Sequence, residues 1–424
     1  MYTKIIIMKN NYKEFCNYWY NYDTVIVKNH FNKNIKIFNL SNKVITLVFA
    51  NSKYIDQIIN SINNKNYYYD IYRGSLFNQP VDNLPQSLQN IIFGYVFNQP
   101  VNNLPKNLQK IIFGCDFNQP VDNLPHGILN LTFGSYFNQT IDNLPPSLLN
   151  LFFGYYFNQP VNNLPSNLQN INLGECFNQP VNNLPSNLRN IKFGGCFNHP
   201  VDNLPSNLQN ITFGKNFNYS VDNLPKNLQN INLGECFNYP VDNLPKNLRN
   251  IKFGGCFNQP VDNLPKNFKK LIFCENFNYS VDNLPQKLQD LTFGWNFNQP
   301  VDNLPQKLQN LTFGFNFNKP VDNLPFLIKN IIFRNCFNQS LDNLPNLIST
   351  IYFTLHIKNF IDKSSFNFNK KLNNLPNSVS EIKIPKNYTE ELEQIPSSLK
   401  IIMCSINYKY IDELKTRGII IEYI

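Results

Sequence analysis

A twenty-residue unit repeats without insertion through the middle of the chain. A representative copy runs from Phe177 to Cys196, and its opening Phe-Asn pair recurs every twenty residues, fourteen times from Phe77 to Phe337. A fixed period of this size is typical of a solenoid, in which each unit buries its apolar residues only against its neighbours. The repeat therefore predicts one stacked array, although a length of 424 residues would otherwise suggest two or three domains.

Apolar residues keep a fixed register within each copy. Around residue 90, Leu88, Ile91 and Phe93 lie in a stretch with β-branched residues that alternates toward its end, which predicts a short strand. The run from Asp82 to Pro85 has turn composition, because an Asx side chain can bond nearby backbone and proline fixes φ. Such regular spacing argues against the alternative that an Asn-rich, weakly charged chain is disordered. We expect these side chains to point inward: Val81, Leu84, Leu88, Ile91, Phe93 and Phe97.

The two ends of the chain depart from the repeat. An apolar stripe at helical spacing predicts a helix over residues 11–21, and Thr24–Val27 is predicted as a strand. A second helix is predicted from Lys53 to Ile62, and the C-terminus is predicted to form a helical turn ending at Gly418 and a strand at Ile419–Ile421. The predicted organisation is an N-terminal cap (1–30), two degenerate repeats (31–76), fourteen regular repeats (77–356), and an insertion, degenerate repeats and a C-terminal cap (357–424). Irregular units at both ends would cover the apolar faces of the outermost repeats.

Composition restricts which cellular compartment and which kinds of binding partner are expected. The net charge of +9 raises nucleic acid or an acidic membrane surface as partners, but the lysines are scattered and arginine, the main reader of phosphates and bases, is nearly absent. We therefore interpret the charge as a solvated basic surface. The opening residues show no secretory signal, and no segment approaches the apolar length that spans a membrane. Nine cysteines, an odd number, then predict reduced thiols in the cytoplasm.

The inward pattern resembles the leucine-rich repeat. Counting slots from Leu88, apolar residues fall in slots 1, 4, 6, 14 and 17 and proline in slot 18, a spacing shared by the twenty-residue leucine-rich repeats of secreted bacterial effectors. In that family slot 9 holds Asn or Cys, whose side chain serves backbone groups in the turn. Here slot 9 holds Cys176, Cys196, Asn216, Cys236, Cys256, Asn276, Asn296, Asn316 and Cys336.

Three slots depart from that family: slot 9 of the early copies holds Val96, Asp116, Tyr136 and Tyr156, slot 10 is Phe, and slot 11 is Asn in place of Leu. A closed parallel β-helix therefore stays open as an alternative. The fold we predict is mostly β: a leucine-rich-repeat-like solenoid with one short parallel strand per twenty-residue repeat and small α/β caps at both ends.

The motif Phe-Asn-x-Pro-Val/Ile-Asp/Asn-Asn-Leu-Pro is similar to that of the FNIP repeats, and the similarity covers residues 77–345 without interruption. The resemblance implies a protein of social amoebae or of giant DNA viruses that infect amoebae, which would act in the host cytoplasm. Viral members often carry an F-box before the repeats, which implies recruitment of a ubiquitin ligase. This N-terminus lacks the Leu-Pro and following helical apolar pattern of an F-box. A cullin-type ligase adaptor with a diverged F-box-like N-terminus is therefore the alternative function.

Two rows of residues could in principle carry chemistry. Cysteines of slot 9 would lie on adjacent repeats, but only four histidines are available to complete a metal site, so we interpret the cysteines as buried structural thiols. Stacked aspartates could bind calcium, yet Asn102, Asn162 and Asn182 replace them freely, as in an Asx turn. No nucleophile elbow, phosphate loop or paired-cysteine zinc motif is present. We predict no metal, no cofactor and no enzymatic activity.

The variable surface slots remain as the place for function. In leucine-rich geometry, slots 5 and 8 face the binding side, and they vary between copies. Exposed aromatic residues on a rigid surface are typical of protein-binding hot spots. We predict a monomeric scaffold that binds host or cellular proteins, with neither nucleic acid nor membrane as partner. The candidate protein-binding residues are Tyr95, Phe152, Tyr155, Trp295 and Phe315.

Overall fold

The computed structural model describes residues 5–8, 24–28, 45–50, 75–354 and 366–424. These residues form two compact units, unit 1 (Met1–Lys215) and unit 2 (Asn216–Ile424). The strands of unit 1 are β1 (Ile5–Met8), β2 (Thr24–Lys28), β3 (Thr46–Ala50), β4 (Asn90–Ile92), β5 (Lys110–Ile112), β6 (Asn130–Thr132), β7 (Asn150–Phe152), β8 (Asn170–Asn172), β9 (Asn190–Lys192) and β10 (Asn210–Thr212).

Unit 2 continues with one strand per repeat and ends in a short helix and a last strand. Its elements are β11 (Asn230–Asn232), β12 (Asn250–Lys252), β13 (Lys270–Ile272), β14 (Asp290–Thr292), β15 (Asn310–Thr312), β16 (Asn330–Phe333), β17 (Thr350–Phe353), β18 (Glu381–Lys383), β19 (Ile401–Cys404), α1 (Ile411–Thr416) and β20 (Ile420–Tyr423).

Neighbouring strands within each unit pair in parallel, except β12 and β13, and among the regular repeats the register advances by one whole repeat. Ile91 of β4 pairs with Ile111 of β5, and Leu291 of β14 pairs with Leu311 of β15. Each described repeat contributes one short strand, and turns and extended segments form the remainder. The predicted leucine-rich-repeat-like solenoid is thereby confirmed, and its alternative, a closed β-helix, is not the fold.

The ends of the chain confirm part of the cap prediction. The strand predicted at Thr24–Val27 is β2, and the predicted C-terminal helix and strand are α1 and β20. Gly418 ends the helical segment with a φ of +81°, in the left-handed region that glycine favours. Strand β1 was not predicted. The helices predicted over residues 11–21 and Lys53–Ile62 and most of the insertion lie outside the described residues.

Two columns of phenylalanine rings form much of the core. All six side chains predicted to point inward, in the copy around residue 90, are buried. Within that repeat the slot 6 ring of Phe93 stacks on the slot 10 ring of Phe97, with centroids 3.9 Å apart. Phe93 also stacks on Phe113 at 5.4 Å, and Phe97 on Phe117 at 6.1 Å, so each ring contacts both its own repeat and the next. The fixed period keeps these rings aligned along the stack.

Asparagine in slot 11 joins each repeat to the next. The Asn78 Oδ1 atom accepts the backbone N–H of Asn98 at 2.9 Å and the Gln99 Nε2 donor at 3.0 Å, and the pattern recurs along both units. Backbone groups in the turn are therefore served by slot 11, whereas the leucine-rich-repeat pattern gives that role to slot 9. The Asn that departs from the leucine-rich pattern is the residue that satisfies the backbone here.

Glycine in slot 7 allows the backbones of consecutive repeats to touch. A Cβ added at Gly114 would lie 1.8 Å from the carbonyl oxygen of Gly94, and one at Gly254 would lie 1.7 Å from that of Gly234. In the next repeat this slot holds Cys274, whose thiol donates to the Phe257 carbonyl at 3.1 Å. At the backbone spacing of the glycine-bearing repeats, the Cys274 Cβ would collide with the slot 7 carbonyl oxygen of the preceding repeat.

The strand ladder of unit 2 is interrupted at that point. Its strands form two hydrogen-bonded groups, β11–β12 and β13–β20. Slot 7 also lacks glycine at Arg334 and Thr354, where β16 and β17 run one residue longer and stay paired through Phe333 and Phe353. The break between β12 and β13 therefore coincides with Cys274, which we interpret as its cause.

Replacing Cys274 with glycine is expected to join the two groups of strands. In paired repeats the slot 2 and slot 3 N–H groups donate to the preceding slot 2 carbonyl, as Gln289 and Asp290 do to Lys269. Cys274→Gly should let Lys269 and Lys270 donate to Arg249 and slow exchange of their amide hydrogens by about fivefold, because each net hydrogen bond is worth about 1 kcal/mol. Cys274→Ser keeps the Cβ and is the control; equal exchange in both variants would contradict this account.

Candidate protein-binding surface

A second backbone ladder positions the side chains that follow each strand. The slot 9 N–H donates to the slot 8 carbonyl of the preceding repeat: Asp116 to Tyr95 at 2.9 Å, and Tyr156 to Ser135 at 2.8 Å. Cys176 continues the series by donating to Tyr155 at 2.8 Å. Side chains in slots 8 and 9 are therefore held at a regular spacing on a rigid backbone.

Three exposed tyrosines gather on this ladder in unit 1. Tyr136, Tyr155 and Tyr156, here called the tyrosine cluster, are 49%, 51% and 46% exposed. Tyr136 stacks on Tyr156 with centroids 5.1 Å apart, and Tyr155 meets Tyr156 edge-on at 4.8 Å. Ring contacts between neighbouring repeats hold the cluster together, so it presents a preorganised aromatic surface with hydroxyl groups to solvent.

Two tyrosine hydroxyls of slot 8, those of Tyr155 and Tyr95, have a raised pKa. The nearby Cys176 thiol is the main group that raises the pKa of Tyr155, and a hydrogen bond with Cys115 is the main one that raises the pKa of Tyr95. Since the tyrosine pKa already lies well above neutrality, both hydroxyls stay protonated at physiological pH. They are therefore able to donate as well as accept hydrogen bonds.

The candidate binding residues predicted in unit 1 differ in exposure and in whether they join the tyrosine cluster. Tyr155 belongs to the tyrosine cluster. Phe152 is half-buried on β7, and Tyr95, whose carbonyl belongs to the ladder, is also half-buried. Tyr136 and Tyr156 were missed, because they were considered only as departures of slot 9 from the Asn/Cys pattern. Their signal in the sequence is the same aromatic residue in one slot of two consecutive repeats.

The two candidates of unit 2 form a stacked pair. The rings of Trp295 and Phe315 are 4.2 Å apart and within 5° of parallel, and both are half-buried. An amide row runs beside them: Asn296 donates to Asn276 at 3.1 Å, and Asn316 donates to Asn296 at 3.0 Å. The pair was predicted as an anchor from sequence, and the structure places its members face to face.

The cysteines differ from the expectation of buried thiols. Within the part of the chain that the structure describes, Cys404 is buried, Cys256 is exposed, and the remaining thiols are half-buried; all are free. Slot 9 lies at the surface end of the turn, so its side chain reaches partly into solvent. Burial and the neighbouring Cys196 raise the pKa of Cys176, which keeps this thiol protonated and weakly nucleophilic.

The row of aspartates acts in repeat-to-repeat hydrogen bonding. Asp82 accepts the side-chain amide of Asn103 at 3.1 Å, and Asn102 accepts that of Asn123 at 3.3 Å. A neutral amide oxygen performs the same task as a carboxylate, which explains why Asp and Asn exchange freely in this slot. No group of three or more His, Cys, Asp or Glu side chains among the described residues could hold a metal ion.

Comparison with known proteins agrees with the geometry. The chain resembles CroV588, a circular leucine-rich-repeat protein of a giant virus, with 29% identity and a TM-score of 0.67 over 95% of this chain. The chain spans 66% of the length of that protein. The chain also matches an internalin of Listeria monocytogenes, with 15% identity and a TM-score of 0.40 over 53% of this chain and 80% of that one. A further match is YopM of Yersinia enterocolitica, with 15% identity and a TM-score of 0.35 over 83% of this chain and 94% of that one. Among curated proteins, no sequence matches the chain.

Parallel strands, one per repeat, with a buried Leu, Ile and Phe interior define a leucine-rich-repeat-like β-solenoid. The family profile described as FNIP Repeat matches nine overlapping segments: 77–116, 117–156, 157–196, 177–215, 197–236, 220–256, 237–276, 257–296 and 276–316. These segments tile more than half of the sequence, and the chain therefore belongs to the FNIP repeat family. In the ranges that the structure describes, no helix has the length and apolar character needed to cross a bilayer.

Proposed function

We propose that this chain is a noncatalytic protein-binding scaffold whose repeats hold the tyrosine cluster as a docking surface. The observation that carries the proposal is the packing of Tyr136, Tyr155 and Tyr156 into one exposed group on a rigid ladder. Tyrosine supplies large contact area at little cost in side-chain entropy, and it is enriched in binding hot spots. A partner protein would bury these rings and use their hydroxyls for hydrogen bonds.

The remainder of the repeat supports a role as scaffold. Its recurring Leu, Phe, Asn and Gly residues are used in the core, in the slot 11 hydrogen bonds and in backbone contact between repeats. The variable slots are therefore the ones that can select a partner. Stacked repeats with a rigid surface are widely used for binding proteins. The free thiols suit a reducing compartment, so we place a monomeric chain in the cytoplasm.

Changing the tyrosine cluster to serine is expected to abolish capture of the partner. The full chain, immobilised, would be incubated with lysate of an amoebal host, and the bound proteins compared between the parent and Tyr136→Ser/Tyr155→Ser/Tyr156→Ser. Loss of hot-spot aromatics typically costs 2 kcal/mol or more each, so at least one bound protein should fall to background. A bound set unchanged by the triple variant would contradict the proposal.

The matched control changes exposed tyrosines that do not form this cluster. Tyr239 and Tyr279 of unit 2 are 39% and 41% exposed, and both occupy slot 12. Tyr239→Ser/Tyr279→Ser should leave the same proteins bound. Circular dichroism on all variants verifies that the solenoid is intact, and recovery of cullins with the parent chain would favour the ligase-adaptor function instead.

A further inference from the structure

Two consecutive repeats of unit 2 carry a concentration of positive charge. Between Lys246 and Lys270 the sequence has six cations and one acid, Asp262, which accepts the side-chain amide of Asn283 at 3.1 Å. On the neighbouring strand β14, Asp290 pairs in register with Lys270 and accepts the side-chain amide of Asn310 at 2.5 Å. Every one of the six is exposed. The basic face, as we call it, consists of Lys246, Arg249, Lys252, Lys266, Lys269 and Lys270.

The basic face coincides with the interruption of the strand ladder. Strands β12 and β13 each expose both outer positions, whereas β11, β14 and β15 hold theirs half-buried. Lys252 ends β12, Lys270 begins β13, and Ile272 at the end of β13 is 46% exposed. Where the two groups of strands separate, the surface therefore offers cations together with an apolar side chain.

We propose that the basic face docks an acidic, extended polypeptide segment of a protein partner, with an apolar residue of that segment over Ile272. This inference rests on the proposed function and names the chemistry of one partner. Lysine carries a point charge on a flexible stem, which adapts to carboxylates spaced along a chain. Complementary charge of this kind raises association rates and gives specificity for an acidic partner.

The surroundings favour a polypeptide over nucleic acid. Strand spacing makes two repeats only about 10 Å wide, which is narrow for a duplex. Glu235 and Glu275, which follow β11 and β13, are exposed and would repel a phosphate backbone that continued past the face. The face contains one arginine and no aromatic ring on which a base could stack. A short segment with alternating carboxylate and apolar side chains satisfies these limits.

Binding of defined probes to the full chain tests this inference. The probe is a short fluorescent peptide of alternating Glu and Leu, compared with its Gln-for-Glu analogue and with labelled single-stranded and duplex DNA. The acidic peptide should bind more tightly than the analogue, and added salt should weaken it. Lys252→Glu/Lys270→Glu should reduce its affinity by about tenfold or more.

The control pair makes the same change of net charge elsewhere in unit 2. Lys307→Glu/Lys329→Glu alters two exposed lysines outside the basic face and should weaken binding far less. Equal loss in both pairs, absence of peptide binding, or tighter binding of DNA with the same dependence on Lys252 and Lys270 would each overturn the proposal.

The tyrosine triple variant separates this proposal from the proposed function. It should bind the acidic peptide as the parent chain does, because the tyrosine cluster lies in unit 1 and the basic face in unit 2. Loss of peptide binding with retained tyrosine-dependent capture would refute only the basic face. Retained peptide binding without tyrosine-dependent capture would refute only the cluster.

Discussion

Gly194→Ala is expected to lower the free energy of unfolding by about 3 kcal/mol, because overpacking at a rigid contact forces the backbone to move. The added Cβ would lie 1.6 Å from the carbonyl oxygen of Gly174 and 2.5 Å from the Glu175 Cα, both backbone atoms. Gly194 does not lie in the left-handed region, so the cost comes from contact between repeats. Denaturant unfolding of the full chain measures it.

The control for that variant is Gly127→Ala in the same unit. A Cβ at Gly127 would meet its nearest atom, the Leu108 carbonyl oxygen, at 3.5 Å, which is ordinary van der Waals contact. Its stability should stay within about 0.5 kcal/mol of the parent. If the two alanine variants unfolded at the same denaturant concentration, backbone contact between repeats would not be the reason that slot 7 of this repeat requires glycine.

Phe177→Ala is expected to cost about 3–5 kcal/mol, the typical result of emptying a buried aromatic site. Phe177 is fully buried, and its ring stacks on Phe157 and on Phe197 at 6.1 Å in each direction. The substitution therefore removes ring contacts on both sides of one repeat, and a solenoid draws its stability from such interfaces between neighbours. The midpoint of denaturant unfolding should fall accordingly.

The comparison for this variant is Phe326→Ala, since Phe326 is 60% exposed. Removal of a ring that is already in solvent should change stability by no more than about 0.5 kcal/mol. A Phe177→Ala chain as stable as the Phe326→Ala chain would show that the phenylalanine columns do not support the stack.

The core could be read from the sequence because one register serves every copy. Leu88, Ile91 and Phe93 were assigned inward from their spacing alone, and each is buried. The strand was found, although it is shorter than the apolar run suggested, because only Asn90–Ile92 pair with the neighbouring repeats. Periodicity fixes which columns face the interior, and burial of their side chains follows.

Features that depend on the distance between the backbones of adjacent repeats could not be predicted from the periodicity. The leucine-rich-repeat pattern gives slot 9 the hydrogen-bonding role, whereas Asn78 and its equivalents in slot 11 perform it here. The break between β12 and β13, which coincides with Cys274 in slot 7, is also not disclosed by the spacing of residue types. The tyrosine cluster likewise arises because slots 8 and 9 of neighbouring repeats come within ring contact.

The constant and variable slots of the repeat have different roles. Constant residues are used in packing and in hydrogen bonds between repeats, so changes there destabilise the fold. Variable residues such as Tyr155 and Lys252 lie exposed. Under the proposed function, substitutions there would change the partner without loss of the scaffold. Selection of partners by a few exposed aromatic and charged residues is consistent with how binding energy concentrates in hot spots.

Hydrogen exchange of the full chain, alone and with its captured partner, tests the central claim most directly. The account predicts slower exchange on binding in the segments that carry Tyr136 and Tyr155–Tyr156, with little change in the corresponding segments of repeats that have no exposed aromatic residue. Slower exchange spread evenly over all repeats, or confined to segments away from these tyrosines, would contradict it.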